Sequence, residues 1–483
     1  MTSVPMRSSR RIAATAAALL LFVADAPGRE PAQPQQQASR FPFSRAAQQD
    51  QDGFYYQPAG LCEDYPEEST TSEKIQRDFA VLRETGAKLL RFGIGWDGIE
   101  EAPGEYNWRY WDEIVTTAER DGVTLLPYIC YTPQWLGTDP QEFWREPPRD
   151  LARFAHFVEQ IVTRYRGRIR AWELWNEPDN RDYWRGSAQQ FAIMFRGGAQ
   201  AVRRADPDAL VVLGGLAHDA DSKFTRALFQ QHALGRWIDV INFHSYFETW
   251  DNRRAEHLLQ RIAGYGKLAR SARGKSSPAP ELWLAEFGYS SATRADGKVS
   301  EWVKARHPFE HTREFQAVAL LRHHALALAS QQLALTAWFR IWDLPAAEDV
   351  IGDDNNRRFG VIDVEGKAKP ALQALQLWNQ LIDQPVRRGA AKAEGEQRKN
   401  AQVFAFEKRD GSVVVAAWLP VSAVAAPATI SVRVAAKQDA VLTQFTPIGE
   451  AVQNGPIFHD GFIRDVTLEP DSLFIAELKP PLP

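Results

Sequence analysis

Two glutamates, Glu177 and Glu286, each close an apolar stretch of the chain that has the pattern of a buried strand. A single glutamate is usually a solvated surface charge, but a carboxylate at the end of a buried strand is costly unless it has a partner or a task. One carboxyl group that keeps its proton near neutral pH and one that is ionised could serve as general acid/base and as nucleophile. The pair is therefore the first candidate for catalysis.

The elements around these residues alternate between strand and helix patterns along residues 52–384. The predicted strands are 54–57, 88–95, 123–130, 169–176, 210–215, 239–244, 281–286 and 333–340. The predicted helices are 72–85, 111–120, 151–165, 188–205, 224–233, 254–271, 314–329 and 370–382. This alternation predicts a (β/α)8 TIM barrel as the α/β catalytic domain. A doubly wound open sheet would usually carry a glycine-rich phosphate loop after its first strand, and the chain has none there.

Such a barrel gathers the carboxyl ends of its strands at one face, where active sites lie. Glu177 directly follows predicted strand four and Glu286 ends predicted strand seven, and these two strands face each other across an eight-stranded barrel. Hydrolysis of a glycosidic bond with retention needs two carboxyl groups about 5–5.5 Å apart. The other candidate side chains at predicted strand ends are Arg91, Trp96, Tyr131, Asn176, His244, Tyr246, Trp338 and Trp342.

Two segments carry a resemblance to a known group of enzymes. Residues 172–179 read Trp-Glu-Leu-Trp-Asn-Glu-Pro-Asp, and residues 284–288 read Leu-Ala-Glu-Phe-Gly. They resemble the strand-four acid/base signature and the strand-seven nucleophile segment of glycoside hydrolase clan A. Further matching pieces are residues 96–100, 103–108 and 359–363. The resemblance covers most of residues 54–383 and is most like family 39, which contains β-xylosidases, α-L-iduronidases and bacterial exopolysaccharide endoglycosidases.

The resemblance implies a retaining glycoside hydrolase that acts on a poly- or oligosaccharide through a covalent glycosyl-enzyme intermediate. It implies Glu177 as the acid/base and Glu286 as the nucleophile. Further residues would contact the nucleophile or the sugar: Arg91 orienting and ionising Glu286, Asn176 binding the 2-hydroxyl, His244 and Tyr246 bonding the nucleophile or substrate, and Trp338 forming the floor beneath the reacting sugar.

Aromatic residues on the loops suggest where a substrate binds, because aromatic faces stack on the apolar faces of sugar rings. The chain contains 16 Trp, and Trp135, Tyr183, Trp184 and Trp250 follow predicted strands three, four and six. We expect at least two of these four to line sugar subsites, and we assign substrate binding to Trp135 and Trp184. Aromatics on several long loops favour a groove for a polymer over a pocket for one sugar.

Three other functions stay open at this point. They are a non-catalytic polysaccharide-binding barrel, a transglycosylase that uses the same intermediate, and a metal-dependent barrel hydrolase. Asn176 and Arg91 beside both glutamates argue against the first, and His218 with His244 lacks a spaced third ligand for the last. We expect no metal and no cofactor.

Composition limits the partners. The formal net charge of -4 gives no reason to expect nucleic acid or anionic membranes as partners. Arg7, Arg10 and Arg11 precede an apolar run, and a small-residue cleavage site lies at 24–26. This pattern predicts a signal peptide over residues 1–26, a flexible leader over 27–51, and a secreted or periplasmic protein without membrane insertion.

The C-terminal region differs in character from the barrel. Residues 403–406 and 413–418 flank a turn like a hairpin, and short strands are predicted at 429–434, 441–445 and 472–478. They predict a β-sandwich over residues 385–483 with a packing or accessory role. The two cysteines, Cys62 and Cys130, could pair in an oxidising compartment or remain buried thiols.

Overall fold

The structure is a computed structural model of the 483-residue chain. It describes residues 42–44, 49–66, 69–273, 277–347, 350–351, 353–396, 398–421, 426–437, 439–453 and 455–481. The predicted signal peptide, and the predicted leader apart from 42–44 and 49–51, lie outside the described residues. Export therefore stays a prediction from the sequence.

Eight parallel strands close into a barrel, each hydrogen-bonded to the next and the last to the first. They are β1 (Ala59–Glu63), β2 (Leu89–Gly95), β3 (Thr124–Cys130), β4 (Ala171–Leu174), β5 (Leu210–Leu216), β6 (Val240–Ser245), β7 (Glu281–Phe287) and β8 (Leu333–Phe339). The predicted TIM barrel is confirmed. Seven of the eight predicted strands overlap the observed ones, because each is a short run of β-branched and large apolar residues bounded by turn residues.

One main helix follows each strand. These helices are α1 (Ser72–Thr85), α2 (Arg109–Asp121), α3 (Ala152–Arg164), α4 (Ala188–Ala205), α5 (Lys223–Arg226), α6 (Leu258–Ala272), α7 (Arg313–Ala329) and α8 (Pro370–Leu381). The helix predicted over 224–233 is shorter than expected, since α5 ends in a wider π-helical turn at Ala227–Gln231. No helix within the described residues is long and apolar enough to cross a membrane.

The prediction for the first strand is wrong. Residues 54–57 do not enter the barrel, and Tyr55 instead bridges to Val386 of the C-terminal region. The barrel strand is β1, which pairs with β2 and β8. Its sequence, Ala-Gly-Leu-Cys-Glu, lacks a strong strand signal, and Gly60 is needed because an added Cβ would lie 2.4 Å from the Leu89 carbonyl oxygen.

Side chains alternate between the two faces of each barrel strand. One set fills the barrel interior, with Leu126, Val212 and Ala337 among its members. The other set packs against the surrounding helices. The alternation therefore decides which residues near the carboxyl ends of the strands face the mouth of the barrel.

Two antiparallel sheets form the C-terminal sandwich. One contains β10 (Ala391–Glu394), β13 (Ala428–Val434), β16 (Phe462–Leu468) and β15 (Phe458–His459) in that order. The other contains β14 (Val441–Phe445), β17 (Phe474–Lys479), β12 (Val413–Trp418), β11 (Gln402–Lys408) and β9 (Val386–Gly389). The predicted sandwich is confirmed, although β9, β10, β15 and β16 were not among the predicted strands because they are short or carry charges.

The sandwich packs on the barrel through α7, which is buried over nearly its whole length. Arg322 on α7 donates through Nη2 to the backbone oxygens of Leu419 and Ser472. Trp418 at the end of β12 is fully buried, and its Nε1 donates to Glu256 at 2.8 Å. The two parts therefore share one packed interface.

Cys62 and Cys130 do not form a disulfide. Both are free and buried, Cys62 on β1 and Cys130 at the end of β3. The Cys62 thiol lies 3.2 Å from the backbone oxygen of Ala285, to which it donates a hydrogen bond. The alternative of two buried thiols describes the structure.

We expect Trp418→Ala to destabilise the protein by about 3–5 kcal/mol, as removal of a buried Trp side chain generally does. The substitution removes the ring that packs on Phe404 and the hydrogen bond to Glu256. Urea unfolding followed by intrinsic fluorescence measures the change. Val441→Ala, at a side chain that is 62% exposed, is the control and should change stability by less than about 0.5 kcal/mol. Equal midpoints for the two variants would contradict the prediction.

Candidate active site

A cavity of about 1410 Å³ opens at the carboxyl ends of the barrel strands. Both predicted catalytic glutamates line it, with Asn176 and Tyr246 beside them. The aromatic side chains of its wall are Tyr65, Tyr128, Tyr131, Tyr183, Tyr246, Trp250, Trp302 and Phe339. The structure therefore brings the two glutamates into one cavity at the face where barrel enzymes carry out chemistry.

Glu177 reaches the cavity through a sharp turn of the backbone after β4. Trp175 and Glu177 both have positive φ angles, 82° and 41°, which residues other than glycine rarely adopt. The Glu177 N–H donates to the Gly215 oxygen at 3.0 Å, which holds the turn against the end of β5. Strain of this kind is kept where the surrounding structure requires it, and functional sites are common examples.

The surroundings of Glu177 favour its protonated form. Burial raises its pKa to about 7, although a hydrogen bond from Asn180 to Oε2 at 2.7 Å acts in the opposite direction. His244 Nδ1 lies 2.7 Å from Oε1. Burial lowers the pKa of His244 to about 4, so its ring is neutral at pH 7 and brings no positive charge to Glu177. Glu177 is therefore placed to hold and release a proton near neutral pH.

Glu286 is held in place by hydrogen bonds to both of its carboxylate oxygens. Arg91 Nη1 donates to Oε2 at 2.5 Å, and the Tyr246 hydroxyl donates to Oε1 at 2.6 Å. Both carboxylate oxygens thus accept a hydrogen bond, one of them from a cation. His244 Nδ1 lies 3.3 Å from Oε1, so the imidazole sits between the two glutamates.

Arg91 also binds a third carboxylate and an amide. Its Nε and Nη2 donate to the two oxygens of Glu173 at 3.0 and 2.8 Å, and Nη2 donates to Asn176 Oδ1 at 2.9 Å. Asn242 donates to Glu173 as well and accepts from the Ala285 N–H, one residue before Glu286. The sites on β2, β4, β6 and β7 are therefore linked by one buried network.

Three members of this network were not predicted: Glu173, Asn180 and Asn242. Glu173 lies inside the strand-four signature, and its charge in an otherwise apolar strand was a usable signal. Asn242 is likewise a polar residue in the middle of the apolar strand β6. Asn180 lies one turn beyond Glu177, where no periodic pattern exists.

The predicted floor residue, Trp338, does not line the cavity. It is fully buried on the outer face of β8, where its ring lies edge-on to Phe287 at 5.3 Å. The cause is strand alternation, which turns Ala337 and Phe339 toward the barrel interior and Trp338 toward the helices. Phe339 lines the cavity in its place.

Trp135 and Trp184, to which substrate binding was assigned from the sequence, do not line the cavity. Trp184 is almost fully buried and packs edge-on against Trp175 at 5.1 Å. The Trp135 Nε1–H donates to the backbone oxygen of Glu100. The other two loop aromatics named from the sequence, Tyr183 and Trp250, do line the cavity. Their contact with a sugar stays a prediction.

Glu177, His244 and Glu286 are the described residues whose ligand atoms could hold a metal, since these atoms lie within 4.8 Å of one another. His218 is not part of that group. The three side chains already hydrogen-bond with each other and with neighbours, and the Arg91 guanidinium supplies the positive charge beside Glu286. This donor set suits a hydrogen-bonded pair of carboxyl groups better than a cation.

The comparison with protein families points to the enzyme class that the sequence resemblance implied. Residues 64–275 match the family model for glycosyl hydrolases family 39. The resemblance to family 39 is confirmed. The matched range includes Glu177 and ends before Glu286.

Curated relatives match over shorter ranges. Endo-1,4-beta-xylanase 3 of Hypocrea jecorina is 25% identical over an alignment of 242 residues that covers 44% of this chain and 63% of that protein. Endo-1,4-beta-xylanase A of Xylanibacter ruminicola is 34% identical over an alignment of 160 residues that covers 29% of this chain and 41% of that protein. The chain thus spans less than two thirds of the length of these relatives.

Solved structures share the fold. A family 39 glycoside hydrolase from Bacteroides cellulosilyticus WH2 superposes with a TM-score of 0.66 at 16% identity, over 87% of this chain and 81% of that one. A monomeric beta-xylosidase from Caulobacter crescentus CB15 superposes with a TM-score of 0.61 at 15% identity, over 88% and 97%. At these identities the likeness shows the fold alone.

Gly215 leaves the space that His244 occupies, because an added Cβ would lie 1.9 Å from His244 Nε2. We expect Gly215→Ala to displace the imidazole from Glu177 and to destabilise the protein by about 1–3 kcal/mol, the usual range for an overpacked core. A crystal structure of the variant and its unfolding midpoint test both effects. Gly264→Ala on α6 is the control, since the nearest atom to its added Cβ is 3.8 Å away. Two variants of equal stability would contradict the prediction.

Proposed function

We propose that the chain is a retaining glycoside hydrolase, with Glu177 as acid/base and Glu286 as nucleophile. The observation that carries the proposal is the spacing and environment of the two carboxyl groups. A carboxylate oxygen of each lies within 4.8 Å of the other, which agrees with the about 5–5.5 Å of retaining enzymes rather than the about 6.5–9.5 Å of inverting ones. The match to the family 39 model supports the same reaction.

In the first half of the reaction, an oxygen of Glu286 attacks the anomeric carbon. The bond from that carbon to the glycosidic oxygen breaks, and the Glu177 proton moves to the departing oxygen. A covalent glycosyl-enzyme ester remains. The donors from Arg91 and Tyr246 hold the Glu286 carboxylate in one orientation before the attack.

In the second half, the Glu177 carboxylate takes a proton from a water molecule. The water oxygen bonds to the anomeric carbon and releases Glu286. The net change is the addition of one water across the glycosidic bond with its configuration retained. Glu177 must change protonation state in each half, and a pKa of about 7 makes both changes accessible near neutral pH.

Asn176 is placed to bind the reacting sugar. Its Oδ1 accepts from Arg91, which fixes the amide and leaves its NH₂ group as a donor in the cavity that Asn176 lines. A donor held in this way can bind the 2-hydroxyl, and hydrogen bonds to that group strengthen in the transition state. Arg91 therefore positions both the nucleophile and this substrate contact.

The substrate proposed for the first test is a β-1,4-linked polysaccharide such as xylan. The cavity exceeds the roughly 300–1,000 Å³ of ordinary small-molecule sites, so it has room for several sugar units. The xylanases among the curated relatives make xylan the natural first choice. A panel that adds glucans, mannans and bacterial exopolysaccharides covers the remaining candidates.

We expect the wild type to release reducing ends from one member of that panel. Glu177→Gln should lower the rate by about 10²–10⁴-fold, the usual contribution of general acid catalysis. Glu286→Gln should abolish turnover, because an amide cannot form the glycosyl-enzyme ester. Glu301→Gln is the matched control, because this glutamate lines the cavity but is exposed.

Other outcomes have distinct meanings. Full activity in both Glu177→Gln and Glu286→Gln would overturn the assignment of the two residues. A wild type that binds a polysaccharide without cutting it would favour the non-catalytic alternative. Oligosaccharides longer than the one supplied would show transglycosylation through the same intermediate.

The pH profile should have its basic limb at the pKa of Glu177. Because Glu177 acts first as an acid, kcat/KM should fall as pH rises through about 7. Asn180→Ala removes a donor that lowers this pKa, so the basic limb should move to higher pH. Asn107→Ala, at a residue outside the cavity, should leave the limb in place. A limb that stays fixed or moves to lower pH in Asn180→Ala would contradict the proposed acid.

A further inference from the structure

Trp302 is the most exposed aromatic side chain among the large apolar residues of the described chain. It is 63% exposed and lies in the connection between β7 and α7, on the wall of the cavity that holds the two glutamates. The sequence did not single it out. An exposed indole face on the wall of a cavity can contact a ligand that enters the cavity, and an aromatic ring offers a large apolar contact area.

The backbone on both sides of Trp302 is anchored. Val299 and Val303 are buried, and the Val299 N–H donates to the Val303 oxygen at 2.9 Å. Buried Ser300 donates through Oγ to the Thr249 oxygen at 2.7 Å, and Asn355 donates to the Val299 oxygen at 3.0 Å. The loop therefore presents the indole ring from a fixed base, which reduces the ordering entropy that binding would otherwise cost.

Trp302 is much more exposed to solvent than the two glutamates. Glu177 and Glu286 are only 6% and 8% exposed, so the bond to be cut must enter the buried part of the cavity. Trp302 is far more exposed, and Arg294 and Asp353, which form an ion pair at 3.2 Å, also line the cavity. A cavity that offers both an open aromatic face and polar groups able to bind hydroxyls has the chemistry that a sugar ring requires.

We propose that Trp302 is a stacking platform for a sugar unit of a polymeric substrate, away from the unit that reacts. This inference rests on the proposed hydrolase function and specifies its substrate as a chain of several sugars with an exposed apolar ring face. The platform contributes to the binding of long substrates and not to bond cleavage itself.

The test compares substrates of different length in the full protein. For the active polymer, kcat/KM is measured on the six-unit oligosaccharide and on the shortest oligosaccharide that the wild type cleaves. Trp302→Ala should lower kcat/KM on the six-unit substrate about tenfold, the effect expected of one aromatic contact, and leave the shortest substrate unchanged. Trp302→Phe, which keeps an aromatic face, should recover part of the loss.

Trp237→Ala is the matched control. Trp237 is a half-buried tryptophan just before β6, at the opposite end of the barrel, and its removal should not change the dependence on substrate length. Equal effects of Trp302→Ala on both substrates, or no effect on either, would overturn the platform while the hydrolase function stands.

A binding measurement tests the role of Trp302 without any catalytic step. In the Glu286→Gln background, calorimetry with the six-unit oligosaccharide of the cleaved polymer, or with xylohexaose where no polymer is cleaved, should show about tenfold weaker binding when Trp302→Ala is added. If the wild type cleaves nothing, the proposed function fails. The change in affinity on removal of Trp302 then tests by itself whether Trp302 binds a sugar unit. Equal affinity with and without Trp302, or no binding to either variant, would overturn it.

Discussion

The buried guanidinium of Arg91 is the interaction on which the active site depends. A cation that is 1% exposed needs compensating charge, and Arg91 receives it from Glu173 on one side and Glu286 on the other. Removal of one partner of such a buried pair costs about 3–5 kcal/mol, because the other charge is left uncompensated. The same guanidinium fixes Asn176. One side chain from β2 thus sets the geometry of groups from β4 and β7.

The two catalytic candidates, Glu177 and Glu286, have the same side chain but different surroundings. Glu286 is bound by a cation and a hydroxyl donor, whereas Glu177 is buried beside a histidine whose own burial keeps it neutral. The Gly215 backbone makes this possible, since it leaves room for the imidazole. Glu177 thus has the raised pKa that an acid requires, and Glu286 has the fixed orientation that a nucleophile requires.

The sequence allowed prediction of the barrel, of seven strands and of the positions of Glu177 and Glu286, because those features follow from hydrophobic runs and from where they end. The face of the strand on which each side chain lies was harder to predict. A shift of one residue turns a strand residue to the opposite face. Trp338 is the example, since it lies near the end of a predicted strand yet faces the helices, while Phe339 lines the cavity. Glu173 and Asn242 were missed because their roles depend on contacts between strands.

The loops contribute in a different way from the strands. Trp184 and Trp302 both lie in loops that follow barrel strands, yet the first is buried in the core and the second faces the cavity. No periodic pattern distinguishes them, because loop conformation depends on particular anchoring contacts. The family match ends at residue 275, before the β7 glutamate and before the Trp302 loop. The proposed sugar platform therefore lies in a part of this chain to which the matched family model does not extend, so the family match carries no information about the sugar bound there.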